Sequence, residues 1–146
     1  MRGTLPPAVL LDTCTLIWIG TGAPLATAAI EAVFNAGHDR GIFVSPISAW
    51  EIGLLSRPGP RRASSLDFVL DPKAWLARIM ANPGVRPAPF DQEIAVDASF
   101  LPGDLHNDPA NRIIIATARK LGAPVVTRDR RIIDYARAGH VEVIPC

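Results

Sequence analysis

The chain has 146 residues, of which 49% are apolar, with two cysteines and a formal charge of +1. That is enough apolar material for one packed core, too balanced a charge to mark a bulk polyanion binder, and too few cysteines for a disulfide framework. No apolar run approaches the ~20 residues of a membrane helix, and residues 1–7, with one arginine and two prolines, do not have the form of a signal peptide; a single domain over residues 1–146 and a cytoplasmic location are expected.

Ala8-Val9-Leu10-Leu11 is a short apolar run closed by Asp12, the pattern of a strand buried on both faces. No element is assigned between 14 and 23. A helix is predicted over 24–36, with Pro24 near its start and Gly37 past its end. Ile42-Phe43-Val44 reads as a second buried strand. Ser45-Pro46 then opens a helix through Trp50 and Glu51 to about residue 56, with Ser45 as N-cap. Residues 57–65, which include Pro58, Gly59 and Pro60, form a loop. Asp71-Pro72 starts a helix over 71–81 that Asn82-Pro83-Gly84 stops.

Residues 85–90 form a short strand that Pro87 and Pro89 confine to an edge. A helix over 91–98 and a loop over 102–107 follow. Asp108-Pro109 opens a helix that runs through Ile113-Ile114-Ile115 to Leu121 and ends at Gly122. The strand 124–127 leads to Arg128-Asp129. A short helix over 131–138, stopped by Gly139, and a last strand over 141–144 close the chain. Helices alternating with wholly apolar strands imply a mostly parallel sheet covered on both faces. Such sheets bind ligands at the C-terminal ends of their strands, and Asp12 and Asp129 each stand directly after a strand.

Four acids sit at the edge of apolar segments: Asp12, Glu51, Asp108 and Asp129. Three of them have an ordinary structural use taken alone, Asp12 at the start of a turn, Asp108 as a helix N-cap and Asp129 as a loop acid. Together they suggest more, because converging carboxylates repel one another and a divalent cation removes that cost. An all-oxygen set selects Mg²⁺ or Mn²⁺ over Zn²⁺. Such a site suits phosphodiester hydrolysis, in which the ion activates water and stabilises the leaving oxygen. Arg112, Arg119, Lys120, Arg128, Arg130, Arg131 and Arg137 concentrate positive charge in the last third of the chain, which could attract a polyanion locally or simply be a solvated surface.

The segments that carry these acids resemble the PIN-domain family, its VapC toxins in particular. Leu10-Leu11-Asp12-Thr13 with Trp18 resembles the family's opening, and Val44-Ser45-Pro46-Ile47-Ser48-Ala49-Trp50-Glu51-Ile52 its second motif. His106-Asn107-Asp108-Pro109-Ala110-Asn111-Arg112, followed by an apolar Ala-containing helix, resembles the third, and Val125-Val126-Thr127-Arg128-Asp129 the fourth. The motifs stand in family order. The resemblance implies an α/β/α sandwich and an endoribonuclease whose catalytic residues are Asp12, Glu51, Asp108 and Asp129. It further implies a cognate VapB-like antitoxin and a homodimer.

The third motif departs from the family pattern. The acid commonly found before its arginine is Asn111 here, with Asp108 one helical turn earlier. Either Asp108 supplies the charge and the Asn111 amide oxygen serves as a neutral ligand beside Asp12, Asp108 and Asp129, or the site is a weakened one that binds RNA or metal and cleaves poorly. Thr13 and Thr127 adjoin the acids and could orient them. Arg112 and Arg128 could meet phosphate, or pair with the acids. His106 is read as a turn residue rather than a base, and Trp50 and Trp75 as core or interface.

Overall fold

A computed structural model describes residues 4–57 and 71–146. Five strands form one sheet: β1 (Ala8–Leu11), β2 (Gly41–Val44), β3 (Val85–Pro87), β4 (Val125–Thr127) and β5 (Val143–Pro145). The order is β3-β2-β1-β4-β5, and every pairing is parallel. The chain thus winds outward from β1 to β2 and β3 on one side, then returns to build β4 and β5 on the other. The reversal makes a crevice between the C-terminal ends of β1 and β4, the usual ligand position in open parallel sheets.

Seven helices cover the sheet among the described residues: α1 (Thr13–Thr21), α2 (Thr27–Gly37), α3 (Pro46–Leu55), α4 (Pro72–Met80), α5 (Gln92–Ser99), α6 (Pro109–Leu121) and α7 (Arg130–Ala136). The strands are apolar throughout because both faces are buried. Leu10 and Val125 enter one core with Ile94, Ile114, Ile115 and Ile132. Their neighbours Val9, Leu11 and Val126 enter the other with Leu16, Ala29, Ala36 and Ile52. This two-residue alternation across a pleated sheet gives the expected α/β/α sandwich, with α5, α6 and α7 on one face and α1, α2 and α4 on the other.

The capped helices follow the predicted signals. Ser45 and Asp108 cap α3 and α6, each with proline at the first turn, and Gly122 ends α6 in the left-handed region at φ 64°. β3 is an edge strand, as its prolines require, and is shorter than expected. Helix α1 has no counterpart in the sequence reading. Thr13-Cys14-Thr15-Leu16-Ile17-Trp18 is rich in β-branched residues and shows no amphipathic period, so neither propensity nor patterning announces a helix. It forms because Asp12 caps its start, Gly22 at φ 74° ends it, and Leu16 packs into the core. Pro24 belongs to the link between α1 and α2. There the Ala26 N–H donates to the Cys146 carbonyl (3.3 Å), and α2 begins only at Thr27.

Trp75 packs against the second core, whereas Trp50 is 58% exposed, so the core alternative does not hold for it. Both cysteines are free thiols. No helix among the described residues is long and apolar enough to cross a membrane. The loop expected over 57–65 lies, after Arg57, outside the described residues.

Candidate functional site

All three aspartates at the mouth of the crevice are helix N-caps. Asp12 follows β1 and caps α1, accepting the Thr15 N–H at 2.8 Å. Asp129 caps α7 and accepts the Arg131 N–H at 2.9 Å. Asp108 caps α6 and accepts the Asn111 N–H at 3.2 Å. The structural use and the clustering therefore coexist: helix N-termini favour negative charge, and three of them deliver their acids to one end of the sheet. Glu51 reaches the same region from the second turn of α3.

Threonines join these groups into a network. Thr127, fully buried at the end of β4, donates its hydroxyl to Asp12 Oδ2 and accepts the Asp129 N–H at 3.0 Å. One side chain thus joins the Asp12 carboxylate to the backbone of Asp129. Thr13, at the first position of α1, bonds to Glu51 Oε1 and, at 3.0 Å, to the buried Ser48 Oγ. Thr15 donates to the Val126 carbonyl at 2.8 Å, which ties α1 to β4. Ser48 and Thr15 were not singled out from the sequence. Ser48 lies in the second motif, one turn before Glu51, so its spacing was the available signal.

The electrostatics divide the acids. Asp12 is 6% exposed, and burial lifts its carboxyl above the ordinary carboxylate range; the Thr127 and Thr15 hydrogen bonds oppose that rise, and the nearby Asp129 charge adds to it. Glu51 is also lifted by burial, against the Thr13 bond, with Asp108 and Asp12 adding repulsion. At Asp129 burial acts upward too, but its bonds from Arg131 and Asn111 and the Arg131 charge outweigh it and hold the carboxyl low. Burial and the charges of Asp12, Glu51 and Asp129 raise the Cys14 thiol, against the opposing charge of Arg128.

Asn111 is placed beside the cluster, with its Nδ2 donating to Asp129 Oδ2 at 3.1 Å. The two arginines expected near phosphate are committed elsewhere. Arg112 donates to the carbonyls of Ala98 (2.8 Å), Leu105 (3.2 Å), His106 (3.3 Å) and Ser99 (3.4 Å), holding the α5–α6 connection. Arg128 lies 3.8 Å from the Trp18 ring and donates to the carbonyls of Pro24 and Cys146. Among the described residues neither pairs with an acid, and withdrawing either would orphan backbone acceptors, so both hold the fold in this arrangement. The arginine at the acids is Arg131, which the sequence reading did not single out. His106 serves the turn, its Nδ1 accepting the Asp108 N–H at 3.2 Å.

The donor set suits a hard cation, since Asp12, Glu51, Asp108, Asp129 and Asn111 offer only oxygen ligands. Among the described residues no three acid, imidazole or thiol side chains stand close enough together to hold one ion.

A family model described as PIN domain matches residues 9–138. Ribonuclease VapC22 of Mycobacterium tuberculosis is 30% identical over 136 residues, covering 92% of this chain and 97% of that protein. The fold is similar to a chain in the crystal structure of VapBC2 from Rickettsia felis bound to a DNA fragment from their promoter, with a TM-score of 0.66 at 13% identity over 94% of this chain and 98% of that one. It is also similar to a chain of DNA-bound VapBC from Salmonella typhimurium, with a TM-score of 0.59 at 18% identity over 94% and 97% of the two chains. With a family model matching residues 9–138 and a relative 30% identical over nearly the whole chain, this protein belongs to the PIN-domain family.

Proposed function

We propose that the chain is a single-domain, metal-dependent endoribonuclease, the toxin of a VapC-type toxin–antitoxin pair, with Asp12, Glu51, Asp108 and Asp129 as its catalytic acids. The observation that carries this reading is Thr127, whose hydroxyl donates to the Asp12 carboxylate and accepts the backbone N–H of Asp129, so the two acid-bearing strand ends are tied together at the switch-point crevice. Family membership and the relative named as a ribonuclease support it. Asp12, Asp108 and Asp129, with the Asn111 amide oxygen, are the proposed holders of Mg²⁺ or Mn²⁺; since no three acids among the described residues stand together, one or two would bind directly and the others through the waters this ion keeps. When bound, the cation supplies water activation and charge neutralisation at the phosphodiester.

The chain's own residues do the rest. Thr127 and the Thr15 N–H hold both oxygens of Asp12, so the protein's own groups set its orientation. Thr13 does the same for Glu51. In this reading Glu51, its carboxylate held by Thr13, would receive the proton of the attacking water. RNA cleavage assayed with Mg²⁺, with Mn²⁺ and in chelator tests the reading. Cleavage by wild type only with metal, and none by Asp12→Asn, is expected; equal cleavage by both proteins would refute it.

An antitoxin partner is proposed on separate grounds, since the structural relatives come from VapBC complexes. An apolar hollow of about 710 Å³, bordered by Ile19, Val33, Phe34, Trp75 and Ile79, offers apolar side chains of such a partner a place to bind. Phe34 is 69% exposed there, and Phe34→Asp is expected to weaken antitoxin binding without affecting RNA cleavage. The homodimer and the cytoplasmic location remain part of the proposal. Exposed Trp50 on α3 and Phe100 after α5 are faces a second copy could cover, which light scattering of Trp50→Ser would test.

A further inference from the structure

The metal reading leaves a cation of the protein's own unexplained. Arg131 grips Asp129 with both arms of its guanidinium, Nε to Oδ1 at 3.3 Å and Nη2 to Oδ2 at 3.1 Å. The same Nη2 lies 3.7 Å from Asp108 Oδ2. One nitrogen thus sits between carboxylates delivered by two different helices. Arg131 occupies the first turn of α7, where the helix dipole disfavours positive charge, so helix stability does not account for it. Its donors go to the acids rather than to backbone carbonyls, unlike those of Arg112 and Arg128.

We propose that Arg131 is an internal counter-ion of the Asp108–Asp129 pair that yields to the incoming divalent cation and then turns its guanidinium to the RNA phosphate. The proposal rests on the metal-nuclease reading of the same site. It requires that Arg131 can leave without unfolding α7. Its side chain is 54% exposed, and an ion pair at that exposure is weak. The cap bond from the Arg131 backbone N–H to Asp129 is independent of the guanidinium and stays in place. Beside Arg131 a hollow of about 280 Å³, bordered by Gly103, Asp104, Leu105 and His106, gives the released side chain room. Arginine keeps its charge at any working pH, so the exchange is a displacement and not a titration. Metal entry would then turn a cation that had been neutralised by the acids into one available to phosphate, coupling metal and substrate binding.

The test compares Mn²⁺ affinity, followed by the loss of the free-ion paramagnetic resonance signal, in wild type, Arg131→Gln and Arg131→Lys. Removing the competing cation should tighten Mn²⁺ binding about fivefold in Arg131→Gln, while Arg131→Lys, which keeps the charge, should bind no more tightly than wild type. Binding of a fluorescent single-stranded RNA to the Ca²⁺-loaded proteins should weaken about fivefold in Arg131→Gln. Circular dichroism of all three proteins verifies folding, and the lysine variant preserves the comparison should the glutamine form be poorly folded. Unchanged or weaker Mn²⁺ binding in Arg131→Gln would make Arg131 a mere clamp on Asp129 and overturn the proposal, as would unchanged RNA affinity. Absence of Mn²⁺ binding in every form would instead refute the metal reading, and the proposal with it.

Discussion

Replacing Asn111 by Asp places a second carboxylate where an amide Nδ2 now donates to Asp129 Oδ2 at 3.1 Å. In chelator the substitution removes a hydrogen bond to a charged acceptor, worth about 1.5–3 kcal/mol, and sets two like charges at contact distance. At an effective dielectric near that of a protein surface such a pair costs up to about 4 kcal/mol. Asp129 is 26% exposed and Arg131 screens it, so the combined loss is better set at about 2 kcal/mol. For a chain of this length that lowers the melting temperature by about 4–8 °C. A divalent cation between the two carboxylates turns the repulsion into ligation, so Mg²⁺ should raise the melting temperature of Asn111→Asp more than that of wild type. If Asn111 has left the native site under-charged, single-turnover RNA cleavage should also rise at least about tenfold, or roughly 1.4 kcal/mol of transition-state stabilisation. Paired thermal melts in chelator and in Mg²⁺, with cleavage on the same preparations, give both quantities. A variant that melts with wild type in chelator and gains nothing from Mg²⁺ would refute this account of Asn111; unchanged cleavage with altered melting would leave Asp108 as the sufficient third acid.

Asp12→Asn should abolish RNA cleavage and growth inhibition while the fold survives. In chelator it should also escape a pH penalty. Burial raises the folded Asp12 carboxyl above its unfolded value, so wild-type stability falls as pH climbs from about 4 through that raised value, and melts of the amide variant should lack this decline. Asp129, held low mainly by Arg131, contributes the opposite slope at lower pH, and both proteins should share it. Thr127→Val should push Asp12 higher still, moving the acid limb of the kcat/KM profile upward so that the deficit is larger at about pH 6 than at about pH 8, and Thr127→Ser should restore the profile. A uniform loss across pH would show that Thr127 merely packs. Mn²⁺ should replace Mg²⁺ in cleavage, Ca²⁺ should support little turnover, and chelator should stop the reaction; products ending in 2′,3′-cyclic phosphate would point to metal-free chemistry. Ile52→Ala, at a fully buried position next to Glu51, should cost about 3 kcal/mol by denaturant titration.

Wherever local chemistry suffices, the structure was legible in the sequence. The apolar runs ending at Leu11, Val44 and Thr127 read as buried parallel strands because they are short, apolar and closed by turn- or cap-forming residues. Ser45-Pro46, Asp71-Pro72 and Asp108-Pro109 marked helix starts, since a capping oxygen followed by a fixed φ is a property of two adjacent residues. The same strand ends placed Asp12 and Asp129 at one edge. Helix α1 was not legible, because its β-branched, unpatterned sequence becomes helical only when capped by Asp12 and packed on β1 and β4. The partners of the charged groups were equally hidden. Arg112, Arg128 and Arg131 are alike in composition and lie within twenty residues of one another. Only the tertiary structure sends the first to the carbonyls of the α5–α6 connection, the second across Trp18 to the chain terminus, and the third to Asp129 and Asp108. A guanidinium at the end of a long flexible stem reaches whichever unpaired acceptors the fold leaves near it, and those are set by segments distant in the chain.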